Sequence, residues 1–275
     1  SEGPAAGHEV LSNPTSARIS RVAGLSRRNA RTKHRRFLVE GPQGVREAVR
    51  HAPGRVLDVY LTEEALERHS EIWDEAVAAG LYVHVTTQQV MDAMSPDAQG
   101  LLAVVPTEEV TGSEALAAAL DGARLVAVLT QAQDPGNAGT IIRAADAAGA
   151  DAVVLVRGSV DPTAPKVVRS TAGSLFHLPV VTGVALDDAV TALHSAGLTV
   201  LAADGRGDFD LFEAESLLEA PSAWLLGNEA HGLPSEALSR ADAVVSIPIY
   251  GKAESLNVAA AAAVCLYASA RAQAP

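Results

Sequence analysis

Between an apolar run ending at Ile249 and an alanine-rich run beginning at Val258, the chain reads YGKAESLN, residues 250–257. Lys252, Glu254, Ser255 and Asn257 thus stand between two stretches whose composition suits a core. Ser or Asn ahead of an apolar helix satisfies the free N–H groups of its first turn. Capping accounts for one or two of these residues and leaves the others free for chemistry. Two more loops follow apolar runs in the same way. In TQAQDPGNAGTIIRAADAAGA, residues 130–150, Pro135-Gly136 signals a turn and Asn137 is placed to cap the next helix. Arg143 on that helix is either an i,i+3 partner of Asp146 or free for other work. In GNEAHGLPSEAL, residues 227–238, Gly227 directly after a strand lets a ligand approach the backbone closely, and Glu229 reads first as a helix-start carboxylate. Neither G-x-G-x-x-G nor G-x-x-x-x-G-K-[ST] occurs in these loops, which argues against a dinucleotide or P-loop site.

A different chemistry is written at the other end. Residues 1–50 hold ten Lys/Arg against four Asp/Glu, while the remaining 225 hold eleven against 29. The net charge of −12 taken alone would exclude nucleic acid, but this asymmetry marks a polyanion-binding segment. The densest part, SRRNARTKHRRF, carries Arg27, Arg28, Arg31, Lys33, Arg35 and Arg36, enough to predict salt-sensitive RNA or DNA binding. The single cysteine, Cys265, excludes an internal disulfide framework or a cysteine zinc cluster and reads as a small core residue. No apolar stretch reaches 18 residues and the first residues lack a signal pattern, so a cytoplasmic protein with no membrane span is expected.

These residues must be held by elements. RFLVEG, VLDVYLT, LYVHVT and GLLAVVP read as strands; Pro42–Arg50, residues 63–80 and QQVMDAMSP read as helices between them. This predicts a compact α/β domain over 1–107, followed by a polar, small-residue linker at 108–122. From Arg124 the runs LVAVL, DAVVLV, LPVV, LTVLAAD, SAWLLG and AVVSIPI suit buried strands of a parallel sheet, with alanine-rich helices between. A doubly wound α/β domain over 123–275 follows, whose binding edge is the loops at the carboxyl ends of its strands.

Taken together, the three loops resemble the SpoU (TrmH-like) branch of the SPOUT-class RNA 2′-O-ribose methyltransferases. The resemblance is carried by N-x-G-x-x-x-R (Asn137, Gly139, Arg143), L-G-N-E-x-x-G-L (Leu226 to Leu233) and I-P-I-x-G-x-x-E-S-L-N-V (Ile247 to Val258), with RSTAGSLFHLPV between the first two. It implies a C-terminal SPOUT domain with a parallel sheet and a deep trefoil knot. A smaller ribosomal-protein-like α/β RNA-binding domain precedes it. It further implies S-adenosylmethionine as methyl donor, no metal, RNA as partner and a homodimer. By resemblance Arg143 is the catalytic arginine. A guanidinium with a pKa above about 12 is a poor base, so anchoring the ribose phosphate is its expected role, with removal of the 2′-hydroxyl proton as the alternative. Asn137 and Glu229 are expected to hold Arg143 and the substrate, and Ser255 and Asn257 to hydrogen-bond the ribose or the donor. Leu226, Gly227, Asn228, Ile247, Pro248 and Leu256 are expected to grip the donor, largely through backbone groups. The two-domain layout resembles enzymes of large-subunit (23S) ribosomal RNA, some of which confer resistance to avilamycin or thiostrepton. The alternatives are a transfer-RNA 2′-O-methyltransferase and a non-catalytic RNA-binding relative.

Overall fold

The computed structural model describes residues 7–107, 112–228 and 230–275. They fall into two compact units, one drawn from 1–108 together with 162–176, the other from 109–161 together with 177–275.

The first unit is built on a five-stranded mixed sheet: β1 (Val10–Leu11), β2 (Arg36–Glu40), β3 (Asp58–Thr62), β4 (Val83–Thr86) and β5 (Leu101–Pro106), in the order β1-β4-β3-β5-β2. β5 runs antiparallel to both β3 and β2, and β3, β4 and β1 run parallel. Because successive side chains alternate faces, each strand feeds two cores. Phe37, Val39, Val59 and Leu61 pack beneath the helices Pro42–His51 and Ser70–Ala78. Leu38, Tyr60, Leu102 and Val104 pack beneath Ala17–Gly24 and Gln88–Met94. The helix expected over 63–80 is two, Glu63–Arg68 and Ser70–Ala78, broken at His69, whose φ of −126° is not helical. The apolar stripe survives the break, since Ala65, Leu66, Ile72, Trp73 and Ala76 are all buried.

The second unit carries seven strands, β6 (Leu125–Leu129), β7 (Ala152–Val156), β8 (Val180–Val184), β9 (Thr199–Ala203), β10 (Phe209–Asp210), β11 (Ser222–Leu226) and β12 (Ala243–Ser246), in the order β10-β12-β9-β11-β6-β7-β8. Every pairing is parallel, and β6, β7 and β11 are buried along their whole length. The chain winds outward from β6 through β7 to β8, then returns to build the other half, so the winding reverses between β6 and β11. One face is covered by Gly112–Leu120, Leu186–Ser195 and Ser235–Arg240. On the other lie Pro135–Ala147 and Val258–Gln273, packed on each other. Cys265 is fully buried on the second of these, and burial pushes its thiol up to about 12, as a core residue requires.

Two boundaries differ from expectation. The segment 108–122 is not all linker, because Gly112–Leu120 is a helix whose Leu116 and Leu120, one turn apart, enter the core of the second unit. Residues 162–176 leave the continuous domain expected over 123–275 and join the first unit, where Val168 and Phe176 complete the core. Polar contacts fix them there. Arg169 Nη1 donates to Glu40 Oε1 at 2.6 Å and lies 3.4 Å from Asp97 Oδ2, and Ser95 Oγ donates to the other oxygen of Glu40. The Glu40 side chain is only 4% exposed. Removing the cation strands a buried carboxylate, which is costly, although Arg169 itself is partly solvated. Arg169→Ala should therefore lower the stability of the first unit by about 2 kcal/mol. Urea unfolding should show this, with faster amide exchange in 165–176 than elsewhere in the unit.

Candidate active site

The reversal between β6 and β11 places two loops side by side at the carboxyl ends of neighbouring strands, the place where open parallel sheets hold ligands. Thr130, just past β6, donates from both its N–H (2.9 Å) and its hydroxyl (2.8 Å) to the Leu226 carbonyl. Asn228 carries the link one step further, donating from Nδ2 to Gln131 O at 2.8 Å. Its Oδ1 accepts the N–H groups of Ala230 and His231, and its backbone exchanges two hydrogen bonds with Gly232. The loop after β11 is thereby closed on itself. Gly227 is required for that closure, since a Cβ there would stand 2.5 Å from the carbonyl carbon of Gly232.

The third loop, 247–257, comes to the same edge. Asn257 caps Val258–Gln273 by accepting from the N–H groups of Ala259 (2.8 Å) and Ala260 (3.2 Å). Its Nδ2 donates to Asn137 Oδ1 at 3.3 Å, tying this helix to Pro135–Ala147. Asn137 is not the cap of its own helix. Asp134 holds that position and accepts from the Asn137 N–H at 2.8 Å, leaving the Asn137 side chain to meet Asn257.

Between the loops lies a cleft of about 300 Å³. Ile247, Ile249, Leu256 and Val258 give it apolar walls, Gly227 and Asn228 one rim, and Ser255 a hydroxyl. Two carboxylates, Asp204 and Glu254, also line it, and no lysine or arginine does among the described residues. Arg206 donates to both oxygens of Asp204, at 2.7 and 2.9 Å, and holds that carboxyl below its usual range. Asp204 and Gly205 were not anticipated from the sequence. The available signal was their place directly after β9, a fourth strand that ends on this edge.

The remaining expected residues divide. Leu226 is 1% exposed with its carbonyl taken by Thr130, so it braces the loop and offers that carbonyl to no ligand. Pro248 does not line the cleft. Glu229 lies outside the described residues. Arg143 is exposed on the helix Pro135–Ala147 and makes no hydrogen bond or ion pair with any described residue. Asp146, its alternative partner, pairs with His177 Nδ1 at 2.7 Å. In the first unit, Arg31 is 5% exposed and donates to the carbonyls of Leu25 and Ser26, so it buttresses a turn and is withdrawn from any polyanion. Arg27, Arg28, Lys33, Arg35 and Arg36 are exposed.

Residues 124–267 match the SpoU rRNA Methylase family. The chain belongs to that family. Residues 16–103 match the MRM3-like substrate binding domain. Over 246 residues the chain is 34% identical to the 23S rRNA (guanosine(2553)-2′-O)-methyltransferase RlmP of Bacillus subtilis, covering 88% of this chain and 92% of that protein. It is 36% identical over 261 residues to a 23S rRNA (uridine(2479)-2′-O)-methyltransferase of Streptomyces viridochromogenes, covering 90% and 86%. Among solved structures, the SpoU methyltransferase AviRb of Streptomyces viridochromogenes in complex with AdoMet superposes with a TM-score of 0.79 at 31% identity, over 93% of this chain and 98% of that one. This SpoU methylase is thus an S-adenosylmethionine-dependent RNA 2′-O-methyltransferase.

The cleft fits that donor. Its apolar walls suit an adenine, and Glu254, whose carboxylate no described cation pairs, suits a sulfonium, whereas Asp204 is already paired with Arg206. Gly227→Ala should open the closed loop and weaken S-adenosylmethionine binding at least tenfold, by about 1.4 kcal/mol or more. Calorimetric titration of the donor checks this, with an unchanged far-ultraviolet spectrum showing that the sheet is retained.

Proposed function

We propose that this SpoU methylase modifies the 2′-hydroxyl of a single nucleotide in large-subunit (23S) ribosomal RNA, acting as a homodimer in the cytoplasm. The observation that carries the reading is the convergence of the loops after β9, β11 and β12 on one apolar, acid-rimmed cleft, with the loop after β6 hydrogen-bonded beside it through Gln131 and Asn137. The named activities of the relatives from Bacillus subtilis and Streptomyces viridochromogenes support 23S rRNA over transfer RNA, and the matched substrate-binding domain supports it further. No helix among the described residues is long and apolar enough to cross a membrane.

When bound, S-adenosylmethionine supplies an electrophilic methyl on a sulfonium, and an in-line attack needs the ribose oxygen aligned with it. Ile247, Ile249 and Leu256 exclude water from the apolar part of the cleft, and Ser255 offers a hydrogen bond to the ribose or the donor's amino-acid end. Asn257 acts by position, joining the helix that bears Arg143 to the loop that lines the cleft. Arg143, exposed and without a described partner, keeps its donors for an RNA phosphate. Glu229 and Asn137 belong to the same arrangement as its expected supports.

The subunit contact falls on the paired helices Pro135–Ala147 and Val258–Gln273. There the small Thr140, Ala147 and Ala260 are exposed beside Tyr267, which is 52% exposed and donates to the Ala147 carbonyl. A trefoil-knotted C-terminus belongs to the same reading. It is consistent with Val258–Gln273 packing back on β6, β9 and β11 after the chain has left β12.

A filter assay with tritiated donor and ribosomal RNA tests the activity. Arg143→Ala should abolish transfer while leaving donor affinity within about twofold. Parallel loss of both would make Arg143 structural, and no transfer by the unaltered protein would favour a non-catalytic RNA-binding relative. Primer-extension stops at limiting nucleotide then locate the methylated position. Tyr267→Glu should shift the sedimentation equilibrium from dimer to monomer.

A further inference from the structure

The first unit contains a second cleft, larger than the one at the sheet reversal, at about 590 Å³. Its floor holds the buried side chains of Val22, Leu25 and Val104, and Asp58 and Tyr60 also line it. Its rim is cationic, with Arg18 and Arg21 from the helix Ala17–Gly24, His34 from the end of Arg28–His34, and Arg36 from the start of β2.

The four are not equivalent. Arg18 is fixed in place. Its Nε donates to the Tyr60 hydroxyl at 3.0 Å and its Nη2 to Asp58 Oδ1 at 3.3 Å. His84 stands 2.8 Å from the same carboxylate oxygen and stacks on Tyr60 at 4.8 Å between ring centroids. Burial first, then Asp58, raises the Tyr60 hydroxyl above its ordinary range, so it stays protonated and keeps a donor. Arg21, His34 and Arg36, by contrast, make no hydrogen bond or ion pair with any described residue. Three unpartnered basic side chains around an apolar floor call for an anion that carries a flat, largely apolar body.

We propose that this cleft takes one unstacked nucleotide of the RNA substrate, its phosphate on Arg21, His34 and Arg36 and its base against Val22, Leu25 and Val104. A site for a phosphate alone needs neither the volume nor the floor. Sequence-selective RNA recognition works through bases splayed out of the helix, and such a base needs a pocket of this kind. The cleft then adds selection of a nucleotide to the phosphate contacts of the neighbouring Arg27, Arg28 and Lys33, which do not line it. Arg18, Arg21 and His34 fall outside the basic residues singled out in the sequence, except that His34 stands within the same run. The proposal rests on the RNA-methyltransferase reading.

The protein should be titrated with each nucleoside 5′-monophosphate and with inorganic phosphate, followed by isothermal titration calorimetry, and with a 23S rRNA fragment, followed by fluorescence anisotropy. At least one monophosphate should bind more tightly than inorganic phosphate and be displaced by the RNA. Arg21→Glu should weaken that monophosphate and the RNA by about tenfold and lower the slope of log K against log salt by about one. Arg27→Glu should weaken the RNA yet leave monophosphate binding unchanged. Monophosphates that bind no better than inorganic phosphate overturn the nucleotide assignment. Bound monophosphate that RNA fails to displace, or RNA affinity unchanged in Arg21→Glu, overturns the role in substrate binding. Failure of the wild-type protein to methylate ribosomal RNA is scored in its own assay and removes the underlying reading instead.

Discussion

The Leu226 carbonyl accepts two hydrogen bonds from Thr130 across the reversal of a fully parallel sheet, and Asn228 extends that bond to Gln131. Parallel strands end their loops on one edge, and the reversal keeps the first loops of the two halves from being pushed apart by crossover helices. Once these loops are tied, the backbone pair of Asn228 and Gly232 lies against Gly227, which must be glycine. The third loop then has one wall to fold against. The cleft is a consequence of strand order, with few side chains needed to shape it.

The two asparagines at the helix starts show how structural and functional tasks share a residue. Asn257 is a cap, which answers part of why polar residues stand between a core strand and a core helix. Its remaining donor goes to Asn137, which Asp134 has released from capping. The two helices on one face of the sheet are therefore pinned at their N-termini, beside the loops. Arg143 rides on the first and Ser255 precedes the second, so this pin controls how Arg143 and the cleft face each other.

Much of this was legible in the residues. Short β-branched runs predicted the buried parallel strands, and the order of the three motifs identified the family and which loops converge. The misreadings have physical causes. Gly112–Leu120 looked like linker because its alanines are small, yet two leucines one turn apart are enough to dock it. Arg31 looked like one more phosphate ligand because charge density is blind to direction, and its guanidinium turns inward to two carbonyls. Leu226 was expected to serve the donor through its backbone, but partners separated by 96 residues are invisible to local spacing. Asp204 and Gly205 belong to no motif that was recognised, so only the three-dimensional edge gathers them into the cleft.

The exchange of residues 162–176 into the first unit has a consequence for synthesis. Its core receives Val168 and Phe176 only after the strands β6 and β7 of the other unit have been made. At about 5–20 residues per second, the nascent chain from 107 to 176 takes roughly 3–14 s to emerge. Until residue 169 emerges, Glu40 has no Arg169. The N-terminal half thus leaves the ribosome as an unfinished fold, and its maturation is timed by the translation of its neighbour.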